Sequence, residues 1–168
     1  MGFALTALWM PVFSSQVYWL ALVIIWAALV CLLLCALILS QDPGPEPGQR
    51  WLAWLPLSLH AGWLSLAAFL NTAQVIVAYE LLPVDNQLVW SMALWALAGG
   101  LLLALNLRLR GNLAFVAAVL WALAAVYVKQ SASDMPGSDV SAWTAVGLGG
   151  VLAAHALWLR MRPAPQPA

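Results

Sequence analysis

The stretch WLAWLPLSLHAGWLSLAAFLN, residues 51–71, has the length and apolar content of a membrane-crossing helix. About 20 helical residues span the hydrocarbon core of a bilayer. Yet this run also holds a proline, a histidine, an asparagine and three tryptophans. Polar groups at that depth need partners, because lipid supplies none. At about 3.6 residues per turn, Pro56, His60, Trp63, Ala67, Asn71 and Gln74 fall on one stripe. The other faces are mostly Leu, Ala and Phe, so the stripe is expected to face the interior of a helical bundle. Ser58 and Ser65 lie off it and can bond their own backbone carbonyls. Pro56 removes one backbone hydrogen bond, and is expected to bend the helix or end a short preceding turn.

The surrounding chain is of the same kind. It is 65% hydrophobic and 7% charged, with a mean hydropathy of +0.94. A soluble domain carries about 25% charged residues, so the solvent of this chain is largely lipid. Five apolar runs, residues 17–40, 51–79, 88–107, 113–128 and 140–159, are long enough to span. The fourth is short and is expected to borrow flanking residues. The expected fold is therefore all-α: a polytopic integral membrane protein with a five-transmembrane-helix bundle. It forms one domain over residues 1–162, followed by a Pro-rich tail at 163–168. The segment FALTALWMPVF, residues 3–13, reads as a short helix leading to a break at Pro11. It follows no basic n-region and precedes no clear small-residue cleavage site, so it is read as retained.

Six basic and six acidic residues cancel, and there is no basic patch, so nucleic acid is not an expected partner. The distribution of charge is informative. Arg50, Arg108, Arg110, Arg160 and Arg162 fall at one side of the five runs, and Lys129 at the other. Cytoplasmic loops collect Lys and Arg. The N-terminus is thus expected outside and the C-terminus in the cytoplasm, in a bacterial inner membrane. Glu80, Asp85, Asp134 and Asp139 make the outer loops acidic, as ordinary solvated residues.

Eleven tryptophans are far more than usual. Trp19, Trp51, Trp54, Trp90, Trp143 and Trp158 lie near the ends of runs, where an indole can keep its ring in acyl chain and its N–H in water. Trp26, Trp63, Trp95 and Trp121 lie deeper. They can pack between helices, or together wall a cavity for a flat hydrophobic ligand. Cys31 and Cys35, four residues apart, match neither a redox pair nor a zinc motif and read as small buried residues. His60 and His155 have no acidic or cysteine neighbour at ligand spacing, so no metal site is expected. No GxSxG, P-loop, HExxH or CxxC is present, no catalytic residue is assigned, and an enzyme is not indicated. The small residues Ala98, Gly99 and Gly100, with Gly147, Gly149 and Gly150, allow close helix contact and suit a membrane scaffold or assembly subunit. A small transporter is a weaker alternative, because no charged residue lies deep in a run.

Trp9, Pro11 and Phe13 form a W-x-P-x-F pattern, and Trp63, Ala67, Leu70 and Asn71 form W-x-x-x-A-x-x-L-N. One helix and a loop separate the two. Over residues 6–75 this motif pair resembles the TspO/MBR family of tryptophan-rich sensory proteins and translocator proteins. LPLSLHAGW, residues 55–63, is similar to the LPxSxxxGW signature of a divergent bacterial branch. The chain departs from the family in placing Thr6 at a usual asparagine, His60 at a tyrosine, and Pro56 seven rather than four residues before Trp63. In the family three helices precede the motif pair; here three follow it.

The resemblance implies a membrane protein that binds a flat hydrophobic molecule, a porphyrin-like tetrapyrrole or a sterol-like compound. It also implies a sensory or regulatory role and a frequent homodimer. It carries ligand or structural roles to Trp9, Pro11, Phe13, Trp63, Ala67 and Asn71. Trp63 would be a ring wall, and Asn71 a polar anchor or an interhelical bond. The stripe adds His60 and Gln74 as candidate ligand residues, and Pro56 as a structural one.

Overall fold

The computed structural model describes residues 1–40, 47–83 and 87–162. The Pro-rich tail and Asp85 lie outside the described residues. Six helices of more than one turn carry the fold: α1 (Gly2–Ser14), α2 (Tyr18–Ser40), α3 (Leu55–Ala78), α4 (Gln87–Arg108), α5 (Leu113–Ser131) and α6 (Ser138–Met161). Five of them, from α2 onward, are long and apolar enough to cross a membrane. The protein is an all-α integral membrane protein. Strong apolar content, with polar residues clustered at the turns, is what selects helices here, since a spanning helix satisfies its backbone internally.

Each helix boundary has a local cause. Residues Arg50–Trp54 form one wide π-helical turn, and Pro56 sits in the first turn of α3. The helical run passes from this turn into α3 without a break, so Pro56 leaves one bond to the preceding turn unmade, and the wide π turn lies where that bond is missing. The fourth run extends to Ser131. Its start is set by Asn112, whose Oδ1 accepts from the N–H groups of Ala114 at 3.0 Å and Phe115 at 3.2 Å. The expected break at Pro11 is not seen: α1 runs through it to Ser14. A proline removes only its own N–H bond, and the Pro11 carbonyl still accepts from the Ser15 N–H at 3.0 Å and the Ser15 hydroxyl at 2.8 Å.

The packing order differs from the chain order. α1 lies on α2, α2 on α3, and α3 on α5; α5 then packs on α6. α4 touches α3 and α6 more sparsely. The core runs along α2, α3 and α5, with Ile25, Leu29, Leu66, Phe115 and Val119 almost fully buried. The α3–α5 seam is the tightest crossing. A Cβ added to Gly62 would collide with the Phe115 carbonyl oxygen. One turn earlier, Ser58 accepts a hydrogen bond from Asn112 Nδ2 at 2.8 Å. Ser58 is thus spent on the neighbouring helix, while Ser65 bonds the carbonyl of Ala61 at 2.7 Å as expected. The glycines of α4 and α6 divide. Gly99 faces Leu148, and Gly149 faces Leu120 and Leu123, but Gly100, Gly147 and Gly150 meet nothing. Cys31 is half-buried and Cys35 is exposed. Cys35 therefore lies on an outer face and is not a buried residue.

Candidate functional site

Because α4 holds α3 on one side and α6 on the other without filling the space before α5, a groove of about 560 Å³ remains among them. That volume lies within the range of small-molecule sites. Its deep wall is apolar. Trp63, Leu66, Ala67 and Leu70 come from α3, Trp95 and Ala98 from α4, and Ala122 and Val126 from α5. The alanines keep the floor open, while the two indoles supply flat surfaces.

The groove is polar at one end. Gln74 lies near the end of α3, Gln87 and Ser91 near the start of α4, Lys129 and Gln130 near the end of α5, and Ser138 at the start of α6. Lys129 has no ion-pair partner among the described residues. Trp90, expected in the interfacial belt, lines this end instead, and its indole N–H is buried without an acceptor. The loop before α6 borders this end, with Gly137 at φ +82° set against Leu88. A β-carbon there would be strained, which accounts for glycine at that turn.

The predicted stripe on α3 separates into three environments. Trp63, Ala67 and Gln74 line the groove; Trp63 is 42% exposed and Gln74 is exposed, so both face an open space and not a packed interior. His60 turns toward α1, 3.0 Å from the Thr6 hydroxyl and with its ring 4.9 Å from that of Phe3. Asn71 is 4% exposed, lies outside the groove lining, and has no hydrogen-bond partner for either amide atom. The expected interhelical bond from Asn71 is therefore not formed. Five positions within one 80° arc can fall in three environments, because each neighbouring helix covers only part of a face.

The first motif also lies outside the groove. Trp9 and Phe13 stack on each other at 4.8 Å along α1, and Phe13 meets Tyr18 at 5.3 Å. Trp9 packs on the core with its N–H buried and unpaired. Pro11 lies on the same short helix, between Trp9 and Phe13 in sequence. Of the four deep tryptophans, Trp63 and Trp95 line the groove. Trp26 donates to Thr72 at 3.2 Å and meets Phe69 edge-on. Trp121 is 72% exposed and faces outward, so the four do not wall one cavity. The groove residues that sequence reasoning missed are Trp90, Lys129 and the loop before α6. Their signal was weak, because span-end residues have a sufficient interfacial explanation.

The two histidines are separately engaged. His155 is 3.0 Å from the Asn106 amide and stacks on Trp158. Among the described residues, no three His, Cys, Asp or Glu side chains gather as a metal site.

Two comparisons, with curated proteins and with solved structures, give no match. The family comparison does: the model described as "TSPO-like protein" matches residues 1–158. The similarity therefore reaches beyond the motif pair and includes α4, α5 and most of α6. With nearly the whole chain matched, this five-span membrane protein belongs to the TSPO-like protein family.

Proposed function

We propose that the protein binds a flat hydrophobic molecule, a tetrapyrrole or sterol-like compound, in the groove bounded by α3, α4, α5 and α6, and that this binding serves a sensory or regulatory role. The observation that carries the proposal is the position of Trp63, Ala67 and Leu70. These three residues of one sequence motif line a cavity that is apolar in depth and polar at one end. Trp63 and Trp95 would flank the ring system, Ala67 would give it room, and Gln74 would meet its polar edge. Trp9, Pro11, Phe13, His60 and Pro56 would act indirectly, by holding α1 and α3 in place. Asn71 would set the packing of α3.

Titration of detergent-purified protein with protoporphyrin, followed by the ligand's absorption band, tests this. Trp63→Ala should weaken binding about tenfold through loss of ring contact and apolar area. Wild-type affinity in that variant would remove the groove as the binding site.

A second function is supported by Gly100, Gly147 and Gly150, where an added Cβ would meet no neighbouring element among the described residues, and which suit a closely packed partner helix. In that case the protein is a scaffold or forms a homodimer. A stoichiometric partner copurifying without any bound small molecule would favour it.

The proposed setting is a bacterial inner membrane, with the N-terminus outside and the C-terminus in the cytoplasm. Arg108, Arg110, Arg160 and Arg162 at one end, against Lys129 at the other, support this orientation. A C-terminal reporter active only in the periplasm should stay silent; its activity would reverse the assignment.

A further inference from the structure

A second cleft, of about 570 Å³, opens at the opposite end of the bundle between the starts of α3 and α5. Its outer part is lined by Arg110, Arg160 and Trp51. Farther along the helices from that end, it is lined by Leu55 and Leu59 on α3 and by Leu113 and Ala117 on α5, of which Leu59, Leu113 and Ala117 are exposed. Each of these pairs is one helical turn apart, so an apolar strip continues inward from the two guanidiniums.

The fold brings the arginines together from separate elements. Arg110 belongs to the α4–α5 turn and adopts φ +53°, and Gly111 follows at φ +68°. A β-carbon on Gly111 would lie 2.9 Å from the Ala156 carbonyl, so only glycine lets the turn rest directly on α6. That contact sets Arg110 beside the end of α6, where Arg160 resides. Both arginines are exposed, and neither guanidinium has a hydrogen-bond or ion-pair partner among the described residues. Arg162, by contrast, already sits 3.5 Å over the ring of Trp158.

No described acidic residue lies at this end. Glu80, Asp134 and Asp139 are at the other end, while Asp42 and Glu46 lie outside the described residues. The positive end of the α5 helix dipole adds to the cationic field of the cleft. Asn112 in the wall is already committed, as cap of α5 and donor to Ser58. Anion recognition in the cleft therefore falls to the arginine pair.

We infer that this cleft binds one anionic glycerophospholipid of the adjoining leaflet. Its phosphodiester would lie between Arg110 and Arg160, with Trp51 at the glycerol level and one acyl chain along Leu55, Leu59, Leu113 and Ala117. Arginine suits this ligand because its planar fork can give two hydrogen bonds to phosphate oxygens. The amphiphile matches the cleft in order: charge outside, hydrocarbon inside.

Native mass spectrometry of the full chain in detergent, titrated with phosphatidylglycerol or phosphatidylcholine, tests the inference. The wild type should retain one phosphatidylglycerol in preference to phosphatidylcholine. The double variant Arg110→Gln/Arg160→Gln should lose that preference, with phosphatidylglycerol affinity falling about tenfold or more. Arg108→Gln/Arg162→Gln, which removes the same charge from the same end, should keep it. Equal loss in both double variants would mean that general surface charge is being measured, and would overturn the site. Displacement of the lipid by millimolar inorganic phosphate would identify a free-phosphate site and overturn it too. Unaltered thermal unfolding of the variants, followed by circular dichroism, establishes that the comparison is between folded proteins.

Discussion

Thr6 on α1 and His60 on α3 touch each other at 3.0 Å. A short hydroxyl on one helix thus meets an imidazole on the other. A double-mutant cycle of Thr6→Val and His60→Phe should give a coupling of about 1 kcal/mol in detergent unfolding, the usual value of one hydrogen bond. Additive effects would mean that the two side chains act separately. Asn112 carries more. It caps two backbone N–H groups and donates to Ser58, so Asn112→Ala should cost about 2 kcal/mol, combining a lost cap with a lost buried bond. Ser58→Ala should cost about half of that, because the cap survives. Thermal unfolding of the two variants ranks them directly.

Among the elements, α3 is the organising helix, because it meets α2 and α5 along most of its length and α4 more sparsely. The LPLSLHAGW segment, residues 55–63, is explained by this position. Pro56 lies in the first turn of α3, Ser58 bonds the turn before α5, Gly62 admits the α5 backbone, and Trp63 faces the groove. Gly62→Ala would push a methyl group against a backbone carbonyl that cannot rotate away, and should destabilise by about 2 kcal/mol or more. Gly100→Ala should be neutral or stabilising by up to about 1 kcal/mol, since Gly100 meets nothing and alanine favours the helix. Thermal unfolding of both variants reads the contrast. The sequence marked Gly100 as a small residue that permits contact, and held Gly62 only as part of the LPLSLHAGW signature. It could not say which had a neighbour, because that depends on how each helix is rotated.

At the scale of the molecule, two clefts of similar volume lie at opposite ends and differ in charge. One has Lys129 among amides and hydroxyls; the other has two arginines beside tryptophans. Lys129 gives a test of how the larger groove reads the edge of a ligand. Lys129→Met should weaken protoporphyrin about tenfold, through loss of a charge-assisted bond to a carboxylate. Binding of the dimethyl ester, followed by the same absorption titration, should hardly change. An equal loss for both compounds would assign Lys129 a packing role instead.

The membrane environment, the five spans and the motif pair were determined by the sequence alone. Each rests on a property that one helix has by itself: length, apolar content, or the spacing of side chains along its axis. That Trp63 and Ala67 share a face was legible for the same reason, since positions four apart on a helix point the same way; the stripe read from the sequence held Asn71 where the groove has Leu70. The tertiary structure decided where those faces point. It sent His60 to α1, left Asn71 buried and unpaired, turned Trp121 outward, and brought Trp90 and Lys129 into the groove. It also set Arg110 beside Arg160 across 50 residues of chain. Hydropathy cannot specify these outcomes. In a chain that is apolar on nearly every face, the neighbours of a face are chosen by close backbone approach and a few buried hydrogen bonds.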